Sequence, residues 1–171
     1  MTIQEAIRDR RSIRDFRDQP IADDTAEILI EALRLAPSAG NLQSRKFYFV
    51  TRAETKKGLA RAGLNQNFIS RAPLVVVACI DKTIANRYGD RGVNLYAVQD
   101  VSAGIMSMML AAVELGLGSV WVGAFNEFEV FDLLDLPHHL RPVAIIPVGY
   151  PARTPAALPR KSKEEAVEWV R

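Results

Sequence analysis

The sequence predicts a single α+β or mixed α/β domain, a small sheet covered by helices. Three observations lead there. Four short runs rich in apolar and β-branched residues, Lys46 to Thr51, Leu74 to Ile80, Ser119 to Ala124 and Arg141 to Gly149, have the length and composition of strands. Most stretches between them place apolar residues at helical spacing. The 171 residues, 49% hydrophobic and 25% charged, suffice for one ordinary core, and no repeat or linker divides them.

The elements follow in order. Thr2 with Glu5 three residues on has the spacing of a capping box, so a first helix starts there with Ile3, Ala6 and Ile7 as its apolar stripe. A second begins near Asp23 or Asp24, carries Ile28, Leu29, Ala32, Leu33 and Ala36 on one face, and stops at Pro37. The turn-rich PSAGNLQSR leads into the first strand. Ala53 to Arg61 reads as a short helix, Gly63 to Ser70 as a polar loop, and LVVVACI as a strand buried on both faces. Asn94 to Leu115 is the longest helical stretch, about 33 Å at the usual rise per residue. Its centre, VSAGIMSMMLAAV, is apolar all round and must be covered all round. Phe128 to Leu134 forms a short helix closed by Pro137. After the last strand, YPARTPAALPRKSK is too proline-rich to build a core, and EEAVEWV is either a short helix or an extended docking arm.

Composition excludes several functions. The net charge is +2, from 22 basic and 20 acidic groups, too balanced for broad nucleic-acid binding. The N-terminus carries charges where a signal peptide has its apolar stretch, and Val101 to Val113 is too short to span a bilayer, so a cytoplasmic protein without membrane contact is expected. The one cysteine, Cys79, lies within an apolar run and reads as buried and inert. There is no GxGxxG after a strand, no phosphate loop and no GxSxG elbow. The adjacent His138 and His139 have no zinc-ligand spacing and read as a solvated helix end. Met106, Met108 and Met109 read as core packing. An enzyme built this way needs a bound cofactor to supply its reactivity.

What remains is a concentration of polar groups in three places. RDRRSIRDF sets Arg8, Arg10, Arg11 and Arg14 around one serine. Arg8 complements a helix C-terminus. Arg10, Ser12 and Arg14 alternate, so an extended backbone would turn all three to one side, as a pocket wall for phosphate; a helix end whose charges complement the macrodipole is the alternative. In PSAGNLQ, Ser38, Asn41 and Gln43 are either plain turn residues or readers of a heterocycle edge.

In order along the chain, RRSIRDF, APSAGNLQ, APLVVV, GLGSVWVGAF, PVGYPA and PRK resemble the FMN-dependent nitroreductase family, and together they cover essentially the whole sequence. The resemblance implies an α+β fold, a central mixed, mainly antiparallel sheet flanked by helices. It also implies an intertwined homodimer with FMN at the interface, residues 150–171 of the single domain wrapping over the partner subunit. Arg10, Arg11, Ser12 and Arg14 match the segment that binds flavin phosphate, ribityl and ring, and Arg160, with Lys161 beside it, matches a second phosphate-binding position. Pro37, Ser38 and Asn41, with Gln43 close behind, match contacts supplied by the other subunit. Asn65 and Gln66 match a polar contact to the isoalloxazine edge, while Gly123 and Ala124, with Trp121 just before, match backbone running past flavin N5.

The implied activity is ping-pong reduction of nitroaromatics, quinones or related small acceptors, with tightly bound, non-covalent FMN and NAD(P)H as co-substrate. No side chain is required as acid or base. Another flavin reaction on the same fold (dehalogenation or dehydrogenation), or flavin binding without catalysis, is the alternative. Many relatives read QPW where this chain has Gln43, Ser44, Arg45 and Lys46, which predicts a more polar or basic substrate pocket. The chain is also short for the family, without the insertion that builds a lid in larger members.

Overall fold

Capping chemistry starts the chain. In the computed structural model, which describes residues 1–171, α1 (Ile3–Asp9) opens with Thr2 Oγ1 accepting from the Glu5 N–H and Glu5 accepting from the Thr2 N–H. Of its expected stripe only Ala6 is buried; Ile3 and Ile7 are more than half exposed, because α1 touches the body on one narrow face. α2 (Asp23–Arg34) buries Leu29 and Leu33, and β1 (Arg45–Val50) follows a single 3-10 turn.

After α3 (Ala53–Ala62), where a polar loop was expected, α4 (Phe68–Arg71) forms one helical turn. Ile69, fully buried, is its anchor; four residues are too few to show a period. β2 (Leu74–Asp81) then crosses the centre. The expected helix from Asn94 is longer than its periodicity suggested. Helical backbone runs from Lys82 to Glu114 through α5 (Ala85–Arg91), a π-helical turn at Gly92–Tyr96 and α6 (Ala97–Glu114), with a break at Gly89. By length and composition this run could cross a membrane, but Val101, Ile105, Met108 and Ala112 are fully buried against the sheet. Gly104 admits the Phe47 ring and the Leu33 backbone within 3.3 Å of where a Cβ would stand. Met108 and Met109 are core residues, as expected, and Met106 is partly exposed.

β3 (Gly118–Ser119) is shorter than the expected strand. The segment meets β4 (Leu140–Gly149) again at Val122, which exchanges both bonds with Ile145. Between them the Val120 N–H donates to Pro147 O, but Pro147 has no N–H to return, so the ladder breaks there. α7 (Glu127–Leu133) lies between, capped by the Asn126 side chain. The sheet order is β1-β2-β4-β3, every named pair antiparallel, with one parallel bridge from Ser12 to Ser119 at the edge.

Alternation along β2 divides the core in two. Val75, Val77 and Cys79 face α3, α4 and α7; Leu74, Val76, Ala78 and Ile80 face α2 and α6. Burial pushes the Cys79 thiol up to about 12, which leaves it inert at neutral pH. Beyond Pro151, which bridges to Phe16, every residue is exposed; the tail contains α8 (Lys163–Ala166), which stops at the extended Val167.

Candidate functional site

The segment after α1 is extended, and its alternation is physical. The Ile13 N–H donates to Ser119 O (3.0 Å) and its side chain is buried in the core, so Ser12 and Arg14 turn outward. Arg10, Arg11, Ser12 and Arg14 line a cavity of about 150 Å³ together with Pro155, Ala156, Leu158 and Arg160 of the tail. The structure thus brings the two expected cationic groups together. Lys161 is exposed and outside that lining. Arg11 is also engaged locally, donating to the Arg8 and Arg10 carbonyls at the end of α1.

No carboxylate answers this charge. The chain's three ion pairs, Arg34–Glu31, Lys57–Glu54 and Arg141–Glu127, all lie elsewhere. Four guanidinium groups around a small cavity repel one another unless an anion enters, and arginine cannot relieve the repulsion by losing its proton.

The same edge collects two more expected groups. The guanidinium of Arg14 lies over the Phe68 ring, 5.8 Å from its centroid. Phe68 follows Asn65 and Gln66, and the Gln66 amide donates to Gly63 O at 2.8 Å and reaches Ala124 O at 3.5 Å. The Asn126 N–H, donated to Ala62 O, ties the two loops. Val120 and Val122 point into the core, whereas Trp121 and Gly123 face out, and their backbone groups make no hydrogen bond within the chain. A Cβ on Gly123 would meet only Trp121 Nε1, at 3.9 Å.

Pro37, Ser38, Asn41 and Gln43 are not part of this cluster. Their loop precedes β1, whose Arg45 is level with Ile80 and Arg141, whereas Ser119 is level with Val148 and Leu74. Three strand spacings and six residues separate those corners, about 14 Å across and 20 Å along the sheet. Within the loop, Ser38 Oγ accepts from the Gln43 N–H and Ser38 O from the Asn41 N–H. Gly40, Asn41 and Gln43 all have positive φ, a conformation that costs a non-glycine residue about 1–3 kcal/mol.

The pocket beside Gln43 is bordered by three basic residues, Arg34, Arg45 and the exposed Lys46, as the departure from QPW predicts for the surroundings of this loop. The guanidinium of Arg45 also turns back onto the Arg34, Ala36, Pro37 and Asp100 carbonyls. Burial holds its pKa below the usual arginine value, and the charge of Asp100 opposes that shift. His138 and His139 are exposed in the turn before β4, with His138 stacked on Phe131. Phe68 and Asp100 had no sequence signal of their own. The chain's two buried side-chain polar atoms without a partner, Ser119 Oγ and Asp100 Oδ2, fall one at each corner.

An antiparallel sheet between helix layers defines an α+β protein, and its edge carries an unpaired cationic cavity beside a free backbone segment. The chain belongs to the nitroreductase family, whose model matches residues 7–69 and 59–150. It is 33% identical over 173 residues to an FMN reductase [NAD(P)H] of Bacillus subtilis, covering 93% of this chain and 70% of that protein. It is 32% identical over 168 residues to the oxygen-insensitive NADPH nitroreductase of Salmonella typhimurium, covering 92% and 69%. The solved NADPH:FMN oxidoreductase of Vibrio harveyi, complexed with NAD+, superposes with a TM-score of 0.91 at 29% identity, over 99% of this chain and 77% of that one.

Proposed function

We propose that the protein is an FMN-dependent oxidoreductase that takes hydride from NAD(P)H and reduces small acceptors such as nitroaromatics or quinones. The observation that carries this reading is the cavity of Arg10, Arg11, Arg14 and Arg160, four cations with no carboxylate partner. Such a donor set suits a phosphomonoester dianion. Ser12 adds a directional hydroxyl, and the free N–H and C=O groups of Trp121 and Gly123 suit the polar edge of a flat heterocycle lying in the open space over Gly123. The residues present therefore fit FMN.

When bound, FMN supplies the hydride transfer. The chain's own residues bind and orient. Arg10 and Arg160 neutralise the phosphate, and Arg14, stacked on Phe68, holds positive charge toward the ring end. Gln66 and the 121–124 backbone fix the ring edge, and no side chain at this edge needs to move a proton.

Two copies complete the site in this reading. Pro37, Ser38, Asn41 and Gln43 lie too far from the arginines to meet the same ligand within one chain, and a two-fold axis would bring one copy's loop to the other's cavity. The exposed Ile3, Ile7, Ile28 and Met106 give the helical faces an apolar surface for such a contact. Residues 150–171, exposed from Ala152 onward, would wrap over the partner beyond the stretch Pro155 to Arg160 that lines its own chain's cavity. A cytoplasmic location accords with the same reading.

The direct test is the visible spectrum of the purified protein under anaerobic conditions. A flavin spectrum that bleaches on addition of NADH or NADPH is expected. A protein that takes up no FMN, or holds flavin that neither donor reduces, overturns the assignment. A second test separates site from fold. Gly123→Leu places its side chain in open space, so stability should stay within about 0.5 kcal/mol, while FMN affinity falls by about tenfold or more. Thermal melting and flavin titration of that variant measure the two; unchanged FMN affinity would remove Gly123 from the site.

A further inference from the structure

The loop Pro37–Gln43 holds three consecutive or near-consecutive residues at positive φ, and such a shape persists only where its surroundings enforce it. The enforcement comes from two side chains. Arg45 Nη1 donates to Pro37 O and to Asp100 O, both at 2.9 Å, and Nη2 donates to Arg34 O (3.2 Å) and to Ala36 O. The Arg34 carbonyl is one that α2 leaves without a helical partner at its C-terminus, and those of Ala36 and Pro37 belong to the segment that leaves the helix. From the other side, Asp100 Oδ1 accepts from the Ala39 N–H at 2.9 Å. Asp100 is 6% exposed and its second oxygen has no hydrogen-bond partner, so this carboxylate is committed to the loop at the expense of its own solvation. No Arg45–Asp100 ion pair is formed; each grips the loop, and Arg45 joins them through the Asp100 backbone.

We propose that Arg45 and Asp100 are positioning residues, a clamp between the end of α2 and the start of α6 that shapes Ser38, Asn41 and Gln43 to read the flavin ring. The proposal rests on the flavin reading above. Neither residue touches the ligand. The clamp acts by removing the alternative conformations of the loop, so that ring recognition does not have to select a minor state. It also explains why two basic residues next to the site, Arg45 and Lys46, do not act alike: one is spent on carbonyls and the other is in solvent.

A positioning role has a signature that general destabilisation lacks. Loop geometry affects the ring, whereas the arginine cavity affects the phosphate. Titration of the full-length apoprotein with FMN and with riboflavin therefore separates them. Arg45→Met is expected to weaken both ligands by the same factor, about tenfold, while Arg10→Ala weakens FMN and leaves riboflavin unchanged. Asp100→Asn, which keeps an oxygen for the Ala39 N–H, should bind riboflavin close to the wild type; Asp100→Ala should lose as much as Arg45→Met. Riboflavin affinity in Arg45→Met equal to that of the wild type overturns the clamp. If Arg45→Met does not fold, the Asp100 pair decides: equal riboflavin affinity in Asn and Ala variants overturns it as well. A wild-type protein that binds neither flavin overturns the flavin reading itself, a result distinct from either of these.

Discussion

Replacing Arg10 and Arg160 together by alanine releases FMN from the protein while leaving its fold intact. Each guanidinium offers a charge-assisted bond to phosphate, and such bonds contribute about 1.5–3 kcal/mol each, so the pair should weaken FMN by roughly two to four orders of magnitude. Neither residue is ion-paired, and the bonds Arg160 makes are to the carbonyls of its own exposed tail, so their removal orphans no buried group. Mutual repulsion within the apoprotein even falls. The melting temperature of the apo variant should match or slightly exceed that of the wild type, whereas the FMN-loaded proteins should differ strongly, because only the wild type gains stability from the ligand. The pH dependence has a definite sign. Arginine stays charged throughout, so the titrating partner is the phosphate, whose second pKa is about 6. Wild-type affinity for FMN should therefore decline as pH falls through about 6, and the double variant should lose most of that dependence. Equal FMN affinity in wild type and double variant would show that these arginines serve something other than phosphate.

How far the sequence led differs from one segment to the next, for physical reasons. LVVVACI was legible as a doubly buried strand because unbroken burial leaves no other pattern. The outward alternation of Arg10, Ser12 and Arg14 was legible too, since a period of two needs only an extended backbone, and Ile13 supplies the anchor between them. The end of the Ser119–Ala124 strand was not, because what interrupts it is Pro147 on the neighbouring strand. α4 was hidden by its length, and the helix before Asn94 by the polar composition of α5 and the break at Gly89. Near the loop, Arg45 was legible only in part. A basic residue there reads as a pocket residue, and it does border one, but its bonds to the carbonyls at and just past the end of α2 are visible only in three dimensions.

Gly118 links the core to the arginine cavity, and a single methyl group there should disturb both. A Cβ at Gly118 would stand 2.3 Å from Ile13 Cγ1, 2.8 Å from Ile13 Cβ and 3.0 Å from Pro151 Cγ. Ile13 is buried and bonded to Ser119 O through its N–H, so it cannot swing into solvent without pulling Ser12 and Arg14 with it. Gly118→Ala should therefore cost about 1–3 kcal/mol as overpacking, and it should also weaken FMN because the segment that presents the phosphate ligands has moved. Gly116→Ala is the contrast. There φ is +73° and nothing lies within 4 Å of the new Cβ, so the cost is backbone strain of about 1 kcal/mol with FMN affinity unchanged. Adding Ile13→Ala to Gly118→Ala removes Cγ1 and lets the new methyl fill part of the vacated volume. A double-mutant cycle in chemical denaturation should then show favourable coupling of about 0.5–3 kcal/mol. Additive costs, or wild-type FMN affinity in Gly118→Ala, would mean that the arginine segment is held independently of Ile13, by its contact with the tail at Pro155 to Arg160.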